Sequence, residues 1–440
     1  MPINIAERIH SIFGDNLIKK VMKNTGIVLF GNSTVSVLNL ISFALMAKQL
    51  GPEYLAILVL AQTYALVVND LFNIQTWESM LKFGFGKSDD MNINRVVKTN
   101  IALDFFSAMV AFIFAIIMLK PAMHIFKWDG AYYNVFLLYC FTIPFILTTF
   151  TIGVPRLFNK FGVIAKVFVA GAFLKLAGVI YAMYFSNELT SYIVVYFSAD
   201  IFINLSLSIY SLKLLKDYCG SGWWRDRLNF DKKQMVFIWW TNLRTIVRIP
   251  VRHFDMIVIS SILSMEMVGF YKVYKEIAGL VNRVGEPVNQ AIFPEFTRLL
   301  GNKEVGQTAS VTKKAIFLLL VIGALITFSM LALSEVIMGA FFGSEYLTHI
   351  VVFKMLIILF GINFIIMPVN SLFIAAGFAK YSFFIVLFTN IVYIASIYSL
   401  GMSIGITGVV LAFAIQMLLN QGLKIYLLRK HKNEWGSIEK

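Results

Sequence analysis

Apolar runs long enough to cross a bilayer follow one another almost without pause through this chain, and none of the polar stretches between them is long enough to fold as a soluble domain. A helix needs about 20 apolar residues to cross ~30 Å of hydrocarbon, and there the backbone must satisfy its own hydrogen bonds. Twelve spans are expected, at 25–47, 54–74, 97–119, 132–151, 163–184 and 191–212, then at 235–261, 267–297, 311–334, 350–376, 380–400 and 404–427. The charge content agrees, at 14% of 440 residues against about 25% in a soluble domain. The expected fold class is an all-α integral membrane protein.

A formal net charge of +14 raises the question of nucleic acid, but in so apolar a chain it reports basic loops facing anionic lipid. No nucleic-acid partner is expected; membrane lipids are. Alternate loops carry the excess: Arg8, Lys19, Lys20 and Lys23, then Lys82, Lys87, Arg95 and Lys98, then Arg156, Lys160 and Lys166. The series continues through Lys213, Lys216, Arg225, Arg227, Lys232 and Lys233, then Arg298, Lys303, Lys313, Lys314 and Lys380, to the basic tail from Lys424. The opposite side keeps Lys48, Lys120 and Lys127. This bias predicts that both termini are cytoplasmic. No cleavable signal is expected before the first span. Residues 1–24 resemble an interfacial helix, with Ile5, Ile9, Ile12 and Phe13 on one side.

The longest polar connection, 213–234, divides the chain into residues 1–212 and 235–440, with six spans on either side. Two six-helix bundles of like orientation imply a pseudo-twofold axis along the membrane normal. A faint echo supports this: Leu50, Glu53 and Ala56 parallel Leu263, Glu266 and Gly269.

Several motif matches fail. Gly84-Phe85-Gly86-Lys87-Ser88 ends like a phosphate-binding loop, but Leu81 stands where the leading Gly belongs. Cys140 and Cys219 cannot form a disulfide framework, and the five histidines are scattered. No metal site, cofactor or enzyme activity is expected.

Ionisable residues inside spans are the informative ones, since each costs at least ~2.5–3.5 kcal/mol to insert. The seventh span holds Arg244, Arg248, Arg252 and Asp255, which fall within about 80° of arc on an α-helix. The eighth holds Lys272, Glu276, Arg283 and Glu286 in a similar stripe, with Gly279 and Gln290. Such groups can be ion pairs between helices, with Arg252 and Asp255 neutralising each other. Cations exceed anions, however, and a stripe crossing a span most naturally faces water. The two stripes together suggest a cationic cavity for an anion the size of pyrophosphate. Arg244, Arg248, Arg252, Arg283 and Lys272 are the candidate substrate ligands. Asp255, Glu276, Glu286 and Asp70 are candidates for charge balance or for exchange of a proton or sodium ion. In the first half, Asn32, Ser36 and Asn39 align, as do Gln62, Asn69, Asn73 and Thr76, and Asp104 and Asp200 are further acids within spans. Hydroxyls and amides suit sugar binding and serve equally as interhelical glue.

A set of short segments carries a family resemblance: Ala47-Lys48-Gln49-Leu50-Gly51-Pro52-Glu53-Tyr54, Asp255-Met256-Ile257-Val258-Ile259 leading to Gly269-Phe270-Tyr271, and Phe293-Pro294-Glu295-Phe296. Phe342-Gly343-Ser344-Glu345-Tyr346, Ala376-Gly377-Phe378-Ala379-Lys380 and Gly405-Ile406-Thr407-Gly408 follow in order. In these the chain resembles polysaccharide flippases of the MOP superfamily, which translocate O-antigen or exopolysaccharide repeat units. The family's usual Gly after the Leu-Gly-Pro-Glu-Tyr turn is replaced here by Leu55 or Ala56. The resemblance implies two bundles opening alternately to each face of a bacterial cytoplasmic membrane. It further implies an undecaprenyl-pyrophosphate-linked oligosaccharide as substrate, proton or sodium coupling, and partnership with other polysaccharide-assembly membrane proteins. One rival is a multidrug exporter of the same superfamily, against which the arginine excess argues. Another is a membrane polysaccharide polymerase or ligase, which needs a larger external loop than Lys120–Ala131 or Ser334–His349.

Overall fold

The computed structural model describes residues 16–74, 76–84, 93–186, 188–228, 230–302, 304–431 and 435; for some helical residues it describes the backbone alone. The interfacial helix expected over residues 1–24 and the Gly84–Ser88 turn fall largely outside the described residues.

Among the described residues, all regular structure is helical. Seven helices are long and apolar enough to cross a membrane, and a bent pair over 130–157 makes an eighth. The first helix, α1 (Asn16–Phe72), is broken at Gly51, whose φ of 72° is followed by Pro52. Pro52 cannot donate its nitrogen to the ladder, and Gly51 takes the left-handed conformation that a side chain would oppose. α2 (Thr76–Gly84) and α3 (Ile93–Ile125) follow. The fourth span is assembled from pieces: α4 (Tyr133–Cys140), a 3₁₀ turn at Ile143–Phe145, a π-helix at Thr149–Gly153 and α5 (Val154–Leu157). α6 (Phe161–Phe185) and α7 (Leu189–Cys219) complete the first half.

In the second half, α8 (Lys232–Ile246) continues through a π-helix at Pro250–Phe254 into α9 (Asp255–Ile262). α10 (Met265–Ala278) runs into α11 (Leu280–Gly301). α12 (Val305–Ala332), the short α13 (Ser334–Ile337), α14 (Ile350–Ala375) and α15 (Ala379–Lys430) follow. α15 is broken at Ile404–Gly405; its 52 residues would otherwise extend ~78 Å, more than twice the hydrocarbon thickness. With α1 and α15 each supplying two spans, and α8–α9 and α10–α11 one each, the chain is an all-α, multi-pass membrane protein of twelve spans. The expected 213–234 linker is shorter in the structure. α7 continues to Cys219, with Lys216 in its last turn where a cation suits the helix dipole, until Gly220 at φ 79° ends it.

The backbone divides into two compact units that do not follow a single cut in sequence. One comprises the chain up to Gln49, Val68–Leu119 and Asn134–Leu243; the other comprises Leu50–Val67, Lys120–Tyr133 and Arg244–Lys440. Inside the first, Met80, Val97, Phe150, Val154, Leu157, Leu214 and Leu215 form a buried cluster. Gly153 lets α2 close on the π-helix there, since a Cβ would overlap Met80 Cε. Inside the second, Phe296, Leu300, Leu372, Phe373 and Leu428 pack around Trp435, whose indole N–H donates to the Leu428 carbonyl at 3.0 Å. The second unit also holds the tightest backbone approach described: a Cβ on Gly269 of α10 would overlap the Pro52 carbonyl oxygen. Tyr184 and Phe185 on α6, and Phe317, Leu325 and Phe328 on α12, are exposed, as residues in contact with lipid tails would be.

Candidate functional site

A cavity of about 1020 Å³ lies inside the second unit. Its walls come from the α8–π junction (Arg248, Val251), α10 (Lys275), α11 (Asn282, Phe293), α14 and both halves of α15. α14 contributes Asn363, Asn370 and Ser371; α15 contributes Ser382 and Asn390, then Gln416, Asn420, Gln421 and Lys424. The positions 416, 420 and 424 are successive i, i+4 neighbours, so one face of α15 is polar over two turns of its second half.

The amides are held by a connected set of hydrogen bonds. Asn390 donates to the Val247 carbonyl at 2.6 Å and accepts from Gln416 at 3.5 Å. Asn420 donates to the Thr389 hydroxyl at 3.2 Å. Lys424, 6% exposed, donates from Nζ to Asn370 Oδ1 at 2.8 Å, and among the described residues no carboxylate pairs with its ammonium. Two carbonyl oxygens on the wall, Gln421 Oε1 and Asn282 Oδ1, are buried and accept no hydrogen bond. A buried polar atom left so costs about 1–3 kcal/mol unless a ligand or water satisfies it.

Lys275 differs from the other two cations. Its Nζ bonds Asp255 Oδ2 and donates to the Val251 carbonyl at 3.2 Å. Asp255 is wholly buried; it also accepts from Tyr393 Oη at 3.2 Å and from the Met256 N–H at 2.9 Å. Tyr271 Oη lies 3.4 Å from Tyr393 Oη and donates to it, since Tyr393 has spent its proton on Asp255. Lys275 is therefore compensated, whereas among the described residues Lys424 is held by an amide oxygen and no carboxylate. Among the described residues the lining contains no Asp or Glu.

Of the residues expected from sequence, Arg248 lines the cavity. The side chains of Arg244, Arg252 and Glu286 lie outside the described residues. Lys272, Glu276 and Arg283 meet one another instead. Glu276 bonds Lys272 Nζ at 3.2 Å and Arg283 Nη2 at 2.5 Å, and none of the three lines the cavity. Arg283 is nearly half exposed, where such pairs contribute little to stability. Asp255 sits behind the wall as the partner of Lys275. Asp70 is half-buried in the first unit.

Known structures share this arrangement of helices. An inward-facing multidrug resistance MATE family transporter of the MOP superfamily aligns with TM-score 0.70 at 13% identity, over 91% of this chain and 94% of its own. The lipid II flippase MurJ, in an inward closed conformation, aligns with TM-score 0.70 at 14% identity, over 91% of this chain and 87% of its own. The chain shares the fold of these MOP-superfamily structures. A MOP transporter from Pyrococcus furiosus, described as having a binding pocket of reverse polarity, aligns over 96% of each chain with TM-score 0.57 at 15% identity. In sequence, 176 residues are 26% identical to Inner membrane protein YghQ of Escherichia coli (strain K12). That match takes in 39% of this chain and 50% of the relative, so about half the length of the curated protein is spanned. No protein-family model matches the chain.

Within this MOP fold, sequence reasoning missed Lys275, Lys424 and the amides of α14 and α15. The signal was present for the last: Asn370, Asn390, Gln416 and Asn420 stand in otherwise apolar spans, and Gln416, Asn420 and Lys424 keep helical spacing.

Proposed function

We propose that this chain is a flippase that carries an undecaprenyl-pyrophosphate-linked oligosaccharide across a bacterial cytoplasmic membrane by alternating access, without enzymatic chemistry. One observation carries the reading: a cavity inside a MOP-fold protein lined, among the described residues, by Arg248, Lys275 and Lys424, seven carboxamides and no carboxylate. Arg248 and Lys424 supply charge for the pyrophosphate, and a planar guanidinium matches two phosphate oxygens at once. The amides donate and accept, as sugar hydroxyls require. The lipid tail stays in the bilayer. A cationic drug gains nothing from this lining, which disfavours the exporter reading. Coupling to a proton or sodium ion, both termini in the cytoplasm, and association with other polysaccharide-assembly membrane proteins belong to the same proposal.

The test is flipping of labelled lipid-linked oligosaccharide in proteoliposomes, normalised to folded protein. Arg248→Gln and Lys424→Met are each expected to lower the rate at limiting substrate by roughly 10- to 100-fold, the equivalent of one charge-assisted hydrogen bond. Arg248→Lys should retain part of the rate, since it keeps the charge and loses the fork. Undiminished flipping in both neutral variants at normal abundance would remove the cavity from the mechanism. Orientation is tested separately with a reporter fused after Asp231, which should behave as cytoplasmic.

A further inference from the structure

Four cations at one end of the first unit rest on aromatic rings instead of carboxylates. Lys82 Nζ on α2 lies 4.1 Å from the centre of the Phe237 ring on α8, and the Arg156 guanidinium on α5 lies 5.0 Å from that of Trp77 on α2. Lys160, between α5 and α6, lies 5.9 Å from the Tyr218 ring near the end of α7, and Arg225 lies 5.1 Å from Trp224. Further contacts knit these ends together. Phe158 stacks on Tyr218 at 4.5 Å, Phe83 meets Phe237 edge-on at 5.9 Å, and Lys98 of α3 donates to the Asp226 carbonyl at 2.5 Å. The second, fourth and sixth spans end here, so the pairs share one face of the membrane. Among the described residues none of the four cations pairs with Asp or Glu, and Arg156 Nε is buried with no acceptor. Lys175, Lys272, Lys275, Arg283, Arg298 and Lys354 do pair with carboxylates.

A ring face attracts a cation through its quadrupole but does not cancel the charge, so each pair still presents a positive group that lacks an anion. Tyr218 and Trp224 are themselves 57% and 55% exposed. Exposed Tyr and Trp at the ends of spans sit at headgroup depth, where the anion within reach is a lipid phosphodiester. The guanidinium groups of Arg156 and Arg225 can meet two of its oxygens at once. We infer that this face of the first unit is a docking surface for anionic phospholipid, each cation–aromatic pair taking one headgroup phosphate. Loop charge alone attracts such lipid diffusely. Here the rings hold the cations at set positions, so the binding is selective and countable. The inference depends neither on what the cavity carries nor on which side of the membrane this face lies.

The full chain, delipidated in detergent, is titrated with dioleoylphosphatidylglycerol or dioleoylphosphatidylcholine, and native mass spectrometry counts the lipids bound. The first phosphatidylglycerol molecules are expected to bind at least roughly tenfold more tightly than phosphatidylcholine. Lys82→Gln/Arg225→Gln, at two exposed side chains, should weaken phosphatidylglycerol binding by roughly fivefold or more, the worth of one basic residue at an anionic surface. Arg156→Gln should weaken it likewise; if that variant does not fold, the double variant decides. Lys313→Gln/Lys314→Gln removes two exposed charges of α12 that have no aromatic partner among the described residues, and should change the affinity by less than about twofold. Equal affinity for the two lipids overturns the surface, as does a Lys82→Gln/Arg225→Gln chain that binds phosphatidylglycerol as tightly as the wild type. A loss just as large in the α12 variant overturns the part assigned to the rings.

Discussion

Replacing Asp255 by Asn is expected to remove most of the folded chain from the membrane. Asp255 is wholly buried between Lys275, Tyr393 and the Met256 N–H. Asparagine matches its size but leaves the Lys275 ammonium uncompensated and turns an NH2 donor toward groups that themselves donate. Breaking a buried pair from one side costs ~3–5 kcal/mol, a large part of the ~5–15 kcal/mol that holds a typical domain together. The double replacement Asp255→Asn/Lys275→Met should recover much of the loss, because it removes the stranded charge. Detergent extraction followed by size-exclusion chromatography of a fluorescent fusion measures the folded fraction. Wild-type abundance of Asp255→Asn would show that the pair does not hold α9 to α10. Transport measured on acid variants of this region must therefore be read per folded molecule.

Gly269→Ala is expected to be the most costly single methyl that can be added to the second unit at its Pro52 contact. The new Cβ would overlap the Pro52 carbonyl oxygen and stand 2.6 Å from its carbon. Those are backbone atoms that no rotamer change can clear. Overpacking ordinarily costs ~1–3 kcal/mol, and here the upper end is expected, with a loss of several degrees in Tm. Gly422→Ala is the control: nothing lies within 4 Å of its added Cβ, and alanine in a helix interior is better than glycine by roughly 0.5–1 kcal/mol. A Gly269→Ala protein as stable as Gly422→Ala would mean that α10 and the start of the second span do not meet this closely.

Span number and order were legible because insertion in lipid makes apolar length nearly obligatory. The internal construction of the spans was less so. Pro144 and Pro155 mark the fourth span as irregular, but nothing in its composition shows that it consists of 3₁₀, π and α pieces. The site was legible in one residue. Arg248 lines the cavity, yet the stripe drawn from it to Asp255 assumed uninterrupted α-helix. The π-helix at Pro250–Phe254 lies between them, and its wider turn carries Asp255 round by about 100° from that expectation. Asp255 thus faces Lys275 instead of water. Lys275 itself falls about 100° from Glu276 on an ideal helix, so the stripe through Lys272, Glu276 and Arg283 passed it by. The amides were overlooked for another reason: charge was taken as the mark of a site, whereas in lipid a run of Asn and Gln is also costly enough to require an explanation.

The contrast between Lys275, paired with Asp255, and Lys424, held by the Asn370 amide, also has an electrical consequence. An elementary charge displaced across the whole membrane feels ~2.3 kcal/mol per 100 mV. Lys275 and Asp255, moving together, are nearly invisible to that field. Lys424 is not, unless an anion sits beside it. If the proposed alternating access holds, a vacant cavity would move the Lys424 charge and an anion-filled one would move little. A voltage negative on the cytoplasmic side would then act mainly on the vacant half of the cycle, drawing the opening back toward the cytoplasm.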